Sequence, residues 1–369
     1  MSPAAVAAAG LAALAAGMGI GRFAFTPILP LMQAEGALTL AGGGWLAAAN
    51  YAGYLAGALT APLVPASTAV RAGLAVTAVS TLAMGLDERF ASWVALRAVG
   101  GAASAWVLIH VSAWSLARLP LARPALSGTV YAGVGAGAAL AGALCLAALR
   151  FQLAARDVWL ALGAIALVAA VALWPLFAES KKAAAHAAPL QWSTQSLLLV
   201  ACYGAFGFSY IIPATFIPAF ARETLGDAAL YGWAWPLFGA AAAASTVAAA
   251  PLVRRLGARS VWIGGHLVMA LGLLAPLVLP GAAGIMACAL CVGVTFMVIT
   301  MAGLQEARRL FGAGVLAAMT AGFAAGQIAG PAFVSVLSHA GGRPEHAWIG
   351  ACAVLVAAAA VLFFRRPYP

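Results

Sequence analysis

Charge is what this chain lacks most. Only 8% of its 369 residues are charged, and nine of them are Asp or Glu. Soluble domains carry roughly 25% charged residues. With 65% of residues hydrophobic, no soluble core hides so much apolar surface, and the excess must face lipid. Weak alternation excludes a β-barrel, whose strands need a period of two. The basic residues are scattered over short stretches, not gathered into one patch, which excludes nucleic-acid binding. No Gly-rich phosphate loop is present, so the chain is not expected to hydrolyse ATP. Cysteine is sparse: Cys145, Cys202, Cys288, Cys291 and Cys352 all fall in apolar stretches. Cys288 and Cys291 have helical spacing but no nearby His or Cys, so neither a metal nor a disulfide is expected. Ser112, Ser115 and His110 lie close in sequence without an acid to orient them, so no catalytic group is expected. The reading is therefore not an enzyme, with no cofactor.

What is there is apolar length. A helix needs about 20 residues to cross a hydrocarbon core, and helices satisfy their own backbone hydrogen bonds in lipid. Stretches of that kind run over 4–32, 42–65, 70–86, 91–117, 125–149 and 157–178, then 193–221, 229–253, 260–279, 282–304, 312–338 and 344–364. The fold class expected is an all-α membrane protein of twelve transmembrane helices. The first stretch lacks a charged leader region and its pattern recurs later, so it reads as a retained helix.

Charge placement gives an orientation. If the N-terminus is cytoplasmic, that side holds Arg71, Arg118, Arg123, Lys181, Lys182, Arg254, Arg255, Arg259, Arg308, Arg309, Arg365 and Arg366. The other side holds Arg89, Arg150, Arg156, Arg222 and Arg343. The positive-inside rule then puts both termini in the cytoplasm of a multi-pass inner-membrane protein.

The chain is also written twice. Its one long polar break, residues 179–192, separates six spans from six. The domains expected are a six-helix bundle at 1–178, a cytoplasmic linker at 179–192 and a second bundle at 193–369. GRFAFTP (21–27) parallels GFSYIIP (207–213), and Gly44-Trp45 parallels Gly232-Trp233. APLV at 61–64 recurs at 250–253, and YAGVGAGAALAG (131–142) parallels TAGFAAGQIAGP (320–331). Four matches in order, at offsets of 186 to 189 residues, imply two bundles related by an axis along the membrane normal. Transporters built this way bind substrate near the midplane between the repeats. Rows of small residues let helices approach closely. Gly133 and Gly137, with Gly322 and Gly326, are expected at the seam between bundles.

These features resemble the major facilitator superfamily. Arg97-x-x-x-Gly101 is similar to its fourth-helix arginine motif, and the fifth-span glycine row to its antiporter motif, though a Gly-Pro appears only in the second half, at Pro331. The loop after the second span, PLVPASTAVRAG, keeps only Arg71 of the usual motif; its counterpart PLVRRLGARS keeps more. GIGRFAFTPILPLMQ followed by GWLAAANYAGYLAGAL resembles the YbfB/YjiJ-type bacterial branch. That resemblance covers the chain and implies the fold and a transport function, but no substrate.

The substrate must be sought in buried polar groups. Arg22 lies about ten residues inside the outer end of its span and Arg97 about six, so their heights should be similar, both in the outer half of the membrane. An arginine at the helix centre costs about 2.5–3.5 kcal/mol on insertion scales. Every acid sits in a loop or at a span edge, leaving neither arginine a deep counterion. An electropositive cleft favours an anionic ligand, and guanidinium binds carboxylate through two parallel bonds. Arg22 and Arg97 are thus candidates for binding a small organic anion; the plain alternative has each donating to backbone carbonyls or to an edge acid such as Glu35. Asn50 and Tyr54 share a stripe on the second span. Tyr210 stands where the repeat has Ala24, and Phe208 replaces Arg22, making the second half aromatic where the first is cationic. Gln327 is a further candidate contact. His110, about 140° round the helix from Arg97, is the proton-coupling candidate.

The function expected is secondary active transport of a small molecule by rocker-switch alternating access. Alternatives are proton-linked efflux of a sugar or neutral amphipath, a non-transporting membrane sensor, and, more weakly, a membrane-embedded enzyme. The expected partners are the small-molecule substrate and the lipid bilayer, with the protein a monomer.

Overall fold

The computed structural model describes residues 1–120, 123–177, 192–225, 228–279, 281–339 and 344–365, with side chains at 40, 215–231, 335, 338–339 and 344 left aside. The expected linker, apart from Trp192, lies outside the described residues, as do Lys181, Lys182, Arg343 and Arg366.

The described chain is helical, without strands. Its first six helices are α1 (Pro3–Ala34), α2 (Leu40–Thr60), α3 (Ala66–Leu86), α4 (Phe90–Arg118), α5 (Pro124–Phe151) and α6 (Ala155–Phe177). The second six are α7 (Thr194–Leu225), α8 (Ala228–Leu256), α9 (Ala258–Val278), α10 (Ala282–Phe311), α11 (Val315–His339) and α12 (Pro344–Phe364). Among the described residues, eleven segments are apolar and long enough to cross a membrane. The twelfth, α2, has the length but is diluted by Gly42–Gly44, Asn50, Tyr51 and Tyr54.

Local chemistry sets the ends. Ser2 Oγ accepts from Ala5 N, and Pro3 opens α1 where its missing N–H costs nothing. Thr39 Oγ1 accepts from Gly42 N at the start of α2. Gln152, at φ 54°, ends α5 in the left-handed region. In the loop between α3 and α4, Arg89 donates to both Asp87 oxygens at 2.9–3.3 Å and holds that carboxyl well below the usual carboxylate range. Trp45 and Trp233, at matching places in the two halves, are 68% and 57% exposed. That suits amphipathic rings at a membrane interface. Only 33% of the most apolar window of α6 is buried, so its Val168 and Val171 face lipid.

Glycines decide how the helices pack, and they correct one expectation. A Cβ on Gly133 would lie 2.1 Å from Leu11 O, and one on Gly137 2.4 Å from Ala15 O. Both residues seat α5 against α1. Gly322 and Gly326 do the same for α11 against α7, meeting Val200 and Gly204. All four lie inside their own bundles, not at the seam between them. The two sets repeat each other contact for contact, displaced by 189 residues. The bundle seam is carried on another face of α5. Gly128, Gly135 and Gly142 approach Thr246, Gly239 with Ala243, and Pro236 of α8. Seven-residue spacing keeps these three on one stripe. Gly135 lies two residues from Gly133, about 200° round the helix, so the stripes face different partners. A second seam joins α2 to α11.

Candidate functional site

Helix α1 is not a continuous α-helix. Residues Ala15–Ile20 form a π-helical turn, and Gly21–Ala24 a turn, before the helix resumes at Phe25. Gly21 N donates to Ala16 O and Phe23 N to Met18 O, both five residues back. Pro27 has no N–H to return to Phe23 O, which favours a break there. Such π turns displace helix residues at functional sites. Here the break carries Arg22.

The break explains Arg97. From α4, its Nη1 donates to Gly21 O at 3.3 Å and its Nη2 to Arg22 O at 3.2 Å. One guanidinium fork thus fills two carbonyls at the irregular turn. Its carbon lies 4.8 Å from the Phe25 ring centroid. Asn50 of α2 donates through Nδ2 to Arg97 O at 3.0 Å, tying α2 to α4. Arg97 therefore takes the backbone role left open in the sequence reading, and holds the segment that bears Arg22.

Arg22 points elsewhere. It is 3% exposed, and its guanidinium carbon lies 3.7 Å from the Tyr54 ring centroid, a close cation–π contact. Rings of Phe23, Tyr51 and Phe323 surround it at 5.6–5.9 Å. Its Nη2 donates to Gln327 Oε1 on α11, in the other bundle. Its Nε and Nη1 are buried with no hydrogen-bond partner among the described residues.

Among the described residues no carboxylate pairs with either arginine. Glu35, the nearby edge acid, instead accepts from Ala155 N at 2.6 Å and caps the start of α6. One acid departs from the expected pattern. Glu306 is 2% exposed inside α10, because that helix runs on to Phe311. It accepts from Arg309 at 3.1 Å and faces Arg259 at 3.8 Å, apart from the Arg22 group. No three His, Cys, Asp or Glu side chains gather to hold a metal among the described residues.

The second bundle supplies aromatic surface. Tyr210 stacks on Phe296 at 4.3 Å and 16°. Phe206 and Phe323 pack at 5.0 Å. Phe23, beside Arg22, meets Phe296 edge-on at 5.5 Å across the two bundles. The structure thus joins Arg22, Tyr54 and Gln327 directly and puts Tyr210 one ring behind Phe323 and Phe296. His110 is set apart, with Nε2 3.1 Å from Ala61 O at the end of α2. Phe208, matched to Arg22 in the repeat, packs on Phe333 instead.

Phe23, Tyr51, Phe296 and Phe323 were missed by the sequence reading. For Phe323 a signal existed: it stands four residues before Gln327, on the same helical stripe. At another depth, Arg308 of α10 donates to Ala113 O of α4 at 3.2 Å, a second tie between bundles.

Two six-helix bundles meeting along α2–α11 and α5–α8, with a buried cation between them, define a carrier of the major facilitator type. The family match agrees with the architecture. The chain belongs to the family described as "Uncharacterised MFS-type transporter YbfB", which it matches over residues 14–363. No curated protein matches the sequence. Among solved structures, the human organic anion transporter MFSD10 (TETRAN) is similar with a TM-score of 0.70 and 16% identity, over 96% of this chain and 99% of that one. At that identity the likeness concerns the fold alone.

Proposed function

We propose that this protein is a secondary active transporter of a small organic anion with an apolar or aromatic body. The observation that carries the reading is Arg22. Its guanidinium is buried between the bundles, with no carboxylate paired to it and two nitrogens unmatched among the described residues. A bidentate carboxylate answers that demand, and the ring cluster around Tyr210, Phe296 and Phe323 suits an apolar body. MFSD10 is named for the same class of cargo, but that name describes MFSD10; the reading stands on Arg22.

The moving units are residues 1–178 and 193–369, rocking about the glycine seam of α5 and α8. One chain supplies both bundles, so a monomer suffices. The cargo is released chemically unchanged. The setting is a bacterial inner membrane with both termini cytoplasmic, as the arginine-rich sides of the spans favour. His110 faces a backbone carbonyl and not an acid, so proton coupling, if the cycle uses it, is better sought in the cargo itself.

The test is binding and flux with purified protein. Aromatic carboxylates should stabilise the wild type and be taken up by proteoliposomes, and Arg22→Ala should abolish both. Unchanged anion binding in Arg22→Ala would refute the reading. Binding of neutral amphipaths in preference to anions would favour the aromatic cluster as the whole site. Binding without counterflow would identify a sensor.

A further inference from the structure

We propose that Gln327 is a resident stand-in for the anionic group of the cargo: it holds Arg22 across the bundle interface in the empty carrier, and cargo must displace it. This rests on the anion reading of Arg22.

The atoms carry the argument. A guanidinium offers two forks, Nη2 with Nε on one edge and Nη2 with Nη1 on the other. Nη2 belongs to both. In this protein Gln327 Oε1 accepts from Nη2, while Nε and Nη1 have no hydrogen-bond partner among the described residues. A one-oxygen acceptor therefore occupies one arm of a fork built for two oxygens. The acceptor is also neutral, and a carboxylate in its place makes bonds roughly twice as strong. Gln327 is no better served: it is 0% exposed, and its Nε2 donates to nothing described. A buried amide and a buried guanidinium, each half satisfied by the other, form a contact that is easily exchanged.

The exchange has a mechanical consequence. Arg22 belongs to α1 and Gln327 to α11, so their bond spans the two bundles. A carboxylate on both arms of the fork takes Arg22 away from α11 and loosens the bundles at mid-depth. Arg97 cannot follow, because it is fixed to the carbonyls of Gly21 and Arg22. Cargo binding and bundle release become one event. An empty carrier keeps its tie and does not leak its cycle.

The test uses the full chain in detergent, with 4-phenylbutyrate as the probe and its neutral amide as the control, read by isothermal titration and thermal shift. Gln327→Ala removes the competitor and should bind the probe about tenfold more tightly, the scale of one charge-assisted hydrogen bond. Gln327→Glu places a carboxylate in the fork permanently. It should melt higher than the wild type and yet bind the probe at least tenfold more weakly, a combination that loss of structure would not give. Arg22→Ala should bind no probe. Weaker binding in Gln327→Ala would make Gln327 a cargo ligand and overturn the proposal, as would undiminished binding in Gln327→Glu. Should Gln327→Ala not fold, Gln327→Glu decides alone. If the wild type and Arg22→Ala bind the probe equally, or neither binds it, the anion reading itself falls. If the wild type binds the probe, Arg22→Ala does not, and the Gln327 variants behave like the wild type, the stand-in alone falls.

Discussion

Replacing Arg22 by Met should leave the stability of the empty protein little changed, while the same change at Arg97 should lower it. The two arginines are equally buried, at 3% and 4% exposure, so the difference lies in their partners. A guanidinium in the membrane interior costs about 2.5–3.5 kcal/mol on insertion scales. Arg22 adds two unmatched nitrogens, each on the order of 1–3 kcal/mol. Its gains are the Tyr54 ring face, about 2 kcal/mol when desolvated, and one charge-assisted bond to Gln327, about 1.5–3 kcal/mol. The costs exceed the gains by on the order of 2 kcal/mol, but removing Arg22 also strips the buried Gln327 Oε1 of its donor, about 1–3 kcal/mol, so the net change is near zero. Arg97 carries one unmatched nitrogen and makes two charge-assisted bonds, together about 3–6 kcal/mol. Its removal also leaves two carbonyls at the α1 break unfilled, each about 1–3 kcal/mol. Arg22→Met should therefore shift the apparent melting temperature in detergent by no more than about 2 °C either way, and Arg97→Met should lower it by about 5 °C or more. Arg22→Met should at the same time lose all stabilisation by anions. A fall in melting temperature for Arg22→Met comparable to that of Arg97→Met would refute the reasoning. It would mean that the ring cage satisfies Arg22 fully, with nothing left for a ligand.

Other outcomes follow from the packing. A Cβ on Gly53 would lie 1.9 Å from Ala98 O, so Gly53→Val should prevent assembly of the first bundle, seen as loss of monodisperse protein in size-exclusion chromatography. A Cβ on Gly264 would meet nothing within 4 Å, and Gly264→Ala should leave expression and melting unchanged. Gly135→Ala would bring its Cβ to 2.4 Å from Ala243 N and force α5 and α8 apart by about 1 Å. Because that seam joins separate bundles, the variant should fold yet transport more slowly in proteoliposomes. Arg97→Lys keeps the charge but gives up the planar fork, so it should recover only part of the stability lost in Arg97→Met.

The deep arginines illustrate what can be read without coordinates. Their presence in spans with no interior acid was legible, since both follow from residue order and helix length. Where each guanidinium points was not. Arg97 meets carbonyls that are available only because α1 passes through a π turn, and GMGIGRFAFTP does not announce that turn by periodicity. The glycines behaved similarly. Gly133, Gly137, Gly322 and Gly326 announced close packing, and their repeat identified equivalent helices. Which neighbour each one met depended on a rotation of about 200° between stripes on a single helix. Glu306 looked like an edge residue because apolar length ends before it, but the helix continues and Arg259 and Arg309 cover it.

By itself the sequence determined the solvent, the helices and their duplication. Those are properties of composition and of spacing along one dimension, and lipid leaves the backbone no alternative to the helix. Only the tertiary structure decided that Arg22 reaches Gln327 and Tyr54 while Arg97 turns back on the chain. That choice depends on residues some 300 positions apart meeting across an interface, and on a local break that aims one side chain between the bundles.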